Sequence, residues 1–149
     1  MIVREILKIK GNTLFTTTPG QALTRAIEAM AEVDVGALAV MAGGRMIGLL
    51  TFREVLVAIS ARGGKIEGVS VGEAMLTEPV TVPPEMKTND LRRLMVEKRS
   101  RYVPVMDGDT LLGVVSFLDV ARAVLEGQEF ENKMLKTYIK HWPEETAGN

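Results

Sequence analysis

The chain has 149 residues, 46% apolar and 25% charged, enough hydrophobic sequence for one compact unit or two half-size units sharing a core. Its formal net charge is −1, with both signs spread along the chain, which argues against nucleic acid or an anionic membrane as a partner. It has no cysteine, which excludes disulfide frameworks, thiolate nucleophiles and cysteine-based zinc sites.

The opening stretch MIVREILKIKG contains an acid and no long apolar run, so it reads as neither a signal peptide nor a membrane span. A cytoplasmic location is expected. PGQALTRAIEAMAEV then places Leu23, Ala26, Ile27 and Met30 at helical spacing, after a proline suited to a first helical turn. ALAVMAGGRMIGLLT has two short runs of β-formers around glycines, the pattern of a hairpin whose turn needs positive φ. A second helix follows from Phe52, with REVLVAI carrying its apolar positions.

The polar, glycine-rich SARGGKIEGVS is a linker, after which the same order returns. PEMKTNDLRRLMVEK carries Leu91, Leu94 and Met95 on a helical stripe, YVPVMDGDTLLGVVS is a second hairpin, and LDVARAVL follows Phe117. The predicted organisation is repeat 1 over 1–60, linker over 61–70, repeat 2 over 71–126, an amphipathic helix over 127–142 and a disordered tail over 143–149. In the predicted last helix Phe130, Met134, Leu135, Tyr138, Ile139 and Trp142 form one apolar stripe. That stripe is too short to fold alone, so it packs on its own module or on a second chain.

The repetition is testable within the sequence. Residues 14–59 align without a gap on 79–124, and 11 of the 46 pairs are identical, among them Met30 with Met95, Gly48 with Gly113, Phe52 with Phe117 and Val55 with Val120. Ordinary composition gives roughly 3 such identities by chance. The chain is a tandem duplication of strand, helix, hairpin, helix, an α+β fold. Two copies packed sheet to sheet about a pseudo-twofold axis share a larger core than either has alone.

GLLTFREV and GVVSFLDV are the most similar stretches, each a glycine, two β-formers, a hydroxyl residue and, three positions later, an acid. Such a glycine permits close approach to the backbone, while hydroxyl and acid project together from a helix start. A carboxylate can accept hydrogen bonds from both ribose hydroxyls, and a Ser or Thr beside helix N-terminal amides suits a phosphate. The same spacing also reads as a capping box, Thr51 with Glu54 and Ser116 with Asp119, which fixes each helix start without any ligand.

With VREIL and VGEAM opening the copies, YVPVMDGDTLLG in the second, and GLLTFRE and GVVSFLD in both, the chain resembles a pair of cystathionine β-synthase (CBS) domains over roughly residues 3–125. VREILKIKGNT, VEKRSRYVPV and EGQEFENKMLKTYI bring it closer to small stand-alone bacterial CBS-pair proteins. The resemblance implies a sensor or regulatory protein binding AMP, ADP, ATP or NAD(H) in clefts between the repeats, a homodimer, and a target protein that the sequence does not identify. A ligand-free interaction module acting as a dimeric scaffold is the alternative.

The resemblance further implies two clefts. One combines Thr51, Arg53 and Glu54 with Met75, Thr77, Val80, Arg101 and Tyr102. The other combines Ser116, Leu118 and Asp119 with Lys8, Phe15, Val35, Gly36 and Ala37. Two arginines suit a phosphate, so the first is expected to be the better equipped and the second nearly apolar apart from Lys8. Two residues depart from the family pattern: Glu54 stands where it usually has Asp, and Leu118 stands where close relatives have a small residue.

No catalytic arrangement can be assembled. His141 is the only histidine and lies far along the chain from the paired acids, and AGGRMIG sits in a hairpin and does not open a helix as a dinucleotide fingerprint does. The protein is expected not to be an enzyme and to hold no metal.

Overall fold

Each copy is built on a β-hairpin with helices against one face. The computed structural model describes residues 1–11 and 13–127; the stripe from Phe130 to Trp142 lies outside them. In chain order the elements are α1 (Val3–Lys10), β1 (Thr16–Thr17), α2 (Leu23–Val33), β2 (Ala37–Ala42), β3 (Arg45–Thr51), α3 (Phe52–Ala61), α4 (Val71–Ala74), α5 (Thr88–Lys98), β4 (Tyr102–Asp107) and β5 (Thr110–Ser116). A further helix, α6, covers residues 117–127.

The hairpins are the same object made twice. β2 pairs antiparallel with β3 and β4 with β5, and each ladder slips at the same place, between Val40 and Met41 and between Val105 and Met106. Gly43 and Gly108 open the two-residue loops at φ 59 and 60, a region glycine enters at no steric cost. Alternation along the strands then sorts the side chains between two layers. Leu38, Val40 and Leu50 join the core beneath α2 and α3, while Ala39 and Leu49 face the other way and meet Val114 of the second sheet. The two sheets therefore pack through their outer faces.

The copies also exchange their opening segments. Val3 and Ile6 of α1 are fully buried in the core of the second copy, with Leu91, Met95 and Val105. Val71 of α4 is fully buried in the core of the first, with Leu23, Met30 and Val40. Burying side chains of this size is worth about 1.5–3 kcal/mol each. The docking bonds match: Val3 and Arg4 amides donate to the Met86 and Pro84 carbonyls at 2.8 and 2.9 Å, as Val71 and Gly72 amides do to Gln21 and Pro19. Orphan amides at each helix start are thus satisfied by the opposite copy. Such reciprocity is what a twofold relation between the copies produces.

Two expectations are corrected. Pro19 and Pro84 do not sit in a first helical turn; α2 and α5 start later, after Ala22 and Lys87, and the prolines serve as acceptors for the exchanged segments. The opening strand exists in the first copy alone. There the Ala39 amide donates to Phe15 at 3.1 Å, and β1 pairs parallel with β2. The residue equivalent to Ala39 is Pro104, which has no amide to donate, so the pairing shrinks to a single bridge between Val82 and Val105.

Candidate functional site

The repeated hydroxyl–acid pair begins α3 and α6, directly after the second strand of each hairpin. At α3 the capping box is complete and closed. The Arg53 amide donates to Thr51 Oγ1 at 3.2 Å, and the Thr51 amide and hydroxyl both donate to Glu54 Oε1, the amide at 3.0 Å. Glu54 Oε2 lies 3.5 Å from Arg53 Nη1, and the Glu54 side chain is only 7% exposed. Both carboxylate oxygens are engaged within four consecutive residues.

The α6 start is built alike and left open. The Ser116 amide donates to Asp119 Oδ2 at 2.8 Å, and the Asp119 amide to Ser116 Oγ at 3.1 Å. Lys10 Nζ, reaching from the last turn of α1, also bonds Asp119 Oδ2 at 2.8 Å and the Val114 carbonyl. Both bonds to the carboxylate converge on one oxygen, and Oδ1 takes neither of them. The shorter side chain does not fold back onto the Ser116 hydroxyl as Glu54 does onto that of Thr51.

A cleft of about 430 Å³ opens at this second helix start. Ser116, Phe117, Leu118 and Asp119 form one wall, and Phe15, Val35, Gly36 and Ala37 of the first copy form the facing one. Arg101, Tyr102, Lys10 and Asp34 also line it. Its volume falls within the range of small-molecule sites, and its mixture of apolar surface with a few convergent polar groups is the usual composition of such sites.

The first predicted cluster is not brought together in this way. Thr51, Arg53, Glu54, Met75, Thr77 and Val80 do not line this cleft. Met75 instead packs against β3: a Cβ on Gly48 would lie 2.6 Å from its Sδ, and Leu76 exchanges backbone bonds of 2.9 Å with Leu49. Thr77 and Arg53 are exposed.

Arg101 and Tyr102, expected beside Thr51, belong to the other cleft. The reason is register: Tyr102 opens β4 opposite Ser116, the last residue of β5, and the Phe117 amide donates to the Arg101 carbonyl at 3.0 Å. Both residues are thereby fixed at the end of the hairpin where Asp119 begins its helix. The expectation of an almost uncharged second cleft is therefore reversed. Lys8 is also corrected. It is exposed and does not line the cleft, whereas Lys10 lies seven residues after the buried Val3 and returns to nearly the same helix face. That phase was readable in the sequence. Asp34 was not: it ends α2 in the left-handed conformation at φ 55, which turns the chain into the cleft wall.

Tyr102 bridges the two copies. A Cβ on Gly36 would lie 1.7 Å from the Tyr102 hydroxyl oxygen and 2.9 Å from a Phe52 ring atom, so only glycine lets the ring lie there. Burial pushes the Tyr102 phenol above its ordinary value; the Arg101 guanidinium opposes this and the Asp119 carboxylate adds to it.

Among the described residues no group of three or more acids or histidines could hold a metal, and no helix is long and apolar enough to cross a membrane. What the fold defines is a duplicated module with an open, ligand-sized cleft between its copies. The family model of the CBS domain matches residues 3–61 and again 71–126, and the chain belongs to that family. It is 32% identical over 148 residues to the CBS domain-containing protein CBSX3, mitochondrial, of Arabidopsis thaliana, covering 93% of this chain and 71% of the relative. The crystal structure of a CBS-domain containing protein from Agrobacterium tumefaciens superposes with a TM-score of 0.78 at 28% identity, over 83% of this chain and 98% of that one. The structure of CBSX2 in complex with AMP shares the fold, with a TM-score of 0.72 at 23% identity over 85% and 98% of the two chains. The protein is a CBS-pair regulatory module.

Proposed function

We propose that the chain is a non-catalytic sensor that binds an adenine nucleotide, AMP, ADP, ATP or NAD(H), in the Ser116–Asp119 cleft. The observation that carries this reading is the open carboxylate of Asp119 in a cleft of about 430 Å³ that also receives Arg101 and Lys10. Asp119 Oδ1 offers ribose hydroxyls an acceptor, Arg101 and Lys10 offer a phosphate two cations, and Phe15, Val35 and Tyr102 offer a base an apolar surround. The AMP bound by CBSX2 supports the ligand class. The closed Thr51–Glu54 start is read as a cap that holds α3.

Binding between the copies would bias their relative angle, the lever by which such a module signals to a target protein. A homodimer is part of the same reading. Phe52 and Leu56 on α3 and Leu118 and Leu125 on α6 are 51%, 65%, 78% and 58% exposed, apolar surface on the equivalent helix of each copy that a second chain can cover. The cysteine-free composition fits the cytoplasm.

The scaffold reading keeps one specific observation: Asp119 Oδ2 already serves a cap and an ion pair without a ligand. Thermal unfolding with millimolar AMP, ATP, NAD or NADH separates the two. A ligand bound by the native state raises the midpoint in proportion to RT ln(1 + [L]/Kd). A rise with at least one nucleotide that Asp119→Ala removes supports the sensor; no rise with any of the four supports the scaffold.

A further inference from the structure

The copies differ again where each hairpin begins. Gly36 and Ala37 of the first copy correspond to Arg101 and Tyr102 of the second, and Phe52 corresponds to Phe117. The backbone around these positions is the same in both: the Phe52 amide donates to the Gly36 carbonyl at 3.2 Å, and the Phe117 amide to the Arg101 carbonyl at 3.0 Å. The two helix starts therefore have equivalent frames filled by different side chains.

Across the boundary between the copies, Ala37 and Phe117 both line the Ser116–Asp119 cleft. A methyl group leaves the space before Phe117 open. The twofold relation sets Tyr102 against Phe52 in the same way, and there a ring takes up the space. A Cβ on Gly36 would lie 1.7 Å from the Tyr102 hydroxyl oxygen and 2.9 Å from a Phe52 ring carbon, so the phenol end rests over Gly36 beside the first residue of α3. The ring also packs on Ala39, Leu49 and Val114, where the two sheets meet. Gly36 and Tyr102 form a matched pair: the counterpart of Gly36 is Arg101, a long side chain where the glycine has none.

We propose that Tyr102 is the built-in occupant of the first copy and limits the module to one ligand per chain. Its ring stands beside Phe52, at the place equivalent to the open space beside Phe117. A second ligand would have to displace buried aromatic surface there and also free Glu54 from its cap. Neither change alone opens the site. The identity of the ligand rests on the nucleotide reading of the Ser116–Asp119 cleft; the position of the ring does not.

The test is equilibrium dialysis of the full chain against AMP, with the residues of the open copy placed in the closed one. Tyr102→Ala combined with Glu54→Asp is expected to bind two AMP per chain, the first more weakly than wild type because the ring also lines its cleft. Either substitution alone is expected to leave one. Tyr102→Phe with Glu54→Asp, which keeps the ring, and Tyr102→Ala with Glu54→Ala, which removes the acid, are also expected to leave one. One AMP in the Tyr102→Ala, Glu54→Asp protein, or two in the Tyr102→Phe, Glu54→Asp protein, would overturn the role of Tyr102 and leave the nucleotide reading standing.

A cycle of unfolding midpoints without nucleotide decides the position of the ring on its own. Gly36→Ala is expected to lower the midpoint of wild type and to leave that of Tyr102→Ala nearly unchanged. An equal drop in both backgrounds would overturn the proposal. No AMP bound by wild type or by any variant would remove the nucleotide reading and, with it, the limit on stoichiometry, even where the cycle places the ring as described.

Discussion

Two helix starts written almost identically in the sequence end in different states. At Thr51–Glu54 the acid is one methylene longer, reaches the hydroxyl of its own cap, takes Arg53 on its other oxygen and is nearly removed from solvent. At Ser116–Asp119 the acid keeps one oxygen clear of its cap and ion pair, and a cleft opens before it. In the proposed reading the same motif is structural in one copy and available to a ligand in the other. In a duplicated fold, what surrounds a motif therefore assigns its role more reliably than the motif does.

The largest effect that could break this comparison is a reciprocal pair of substitutions. Asp119→Ala is expected to weaken nucleotide binding by about 10- to 100-fold, the worth of hydrogen bonds to a charged group, in calorimetric titration. Glu54→Ala is expected to leave that affinity within about twofold and to cost about 1–2 kcal/mol in denaturant unfolding, because a cap is lost and the buried Thr51 hydroxyl loses its acceptor. The reverse pattern would exchange the roles of the two copies.

Next in size is Gly36→Ala. Its Cβ would collide with Tyr102, and forcing that ring aside is expected to cost about 1–3 kcal/mol and to narrow the cleft. Adding Tyr102→Ala should restore much of the stability but not the nucleotide affinity. A Gly36→Ala protein as stable as wild type would mean that Tyr102 does not bridge the copies.

Lys10→Met removes a partly buried ion pair, with side chains 26% and 19% exposed, and is expected to cost about 1 kcal/mol or less. Its sharper readout is selectivity: with Arg101→Ala, it should weaken AMP binding while sparing adenosine. Equal losses for both ligands would remove the phosphate role of these cations.

The smallest expected effect is the titration of Tyr102. Its folded pKa is raised, so the fold favours the neutral phenol; this contribution is fully present below the unfolded tyrosine value and is lost as pH rises through the folded one. Near neutral pH it should not change stability. Tyrosinate absorbance, read as the difference between wild type and Tyr102→Phe, should appear at higher pH in native than in unfolded protein.

Much of the fold was legible because it rests on local pattern. Helical stripes such as Leu23, Ala26 and Met30, alternation around Val40, and glycine at 43 and 108 each dictate an element from a short window. The exchange of α1 and α4 was not legible, since nothing within VREIL says whose carbonyls its first amides will meet. The missing strand of the second copy was legible in hindsight: Pro104 stands where Ala39 donates. The membership of the clefts divided along the same line. Phe15, Val35, Gly36, Ala37, Ser116, Leu118 and Asp119 do line one cleft, whereas placing Arg101 and Tyr102 required the register of β4 on β5. Which cleft a residue lines is not legible where it depends on which end of which hairpin the residue reaches.

The measurement that bears most directly on the inequality of the two copies is the stoichiometry of AMP binding by isothermal titration calorimetry on the full chain. One nucleotide per chain, abolished by Asp119→Ala and retained by Glu54→Ala, is the predicted result. Two equivalent nucleotides per chain, or one that survives Asp119→Ala and is lost with Glu54→Ala, would contradict it.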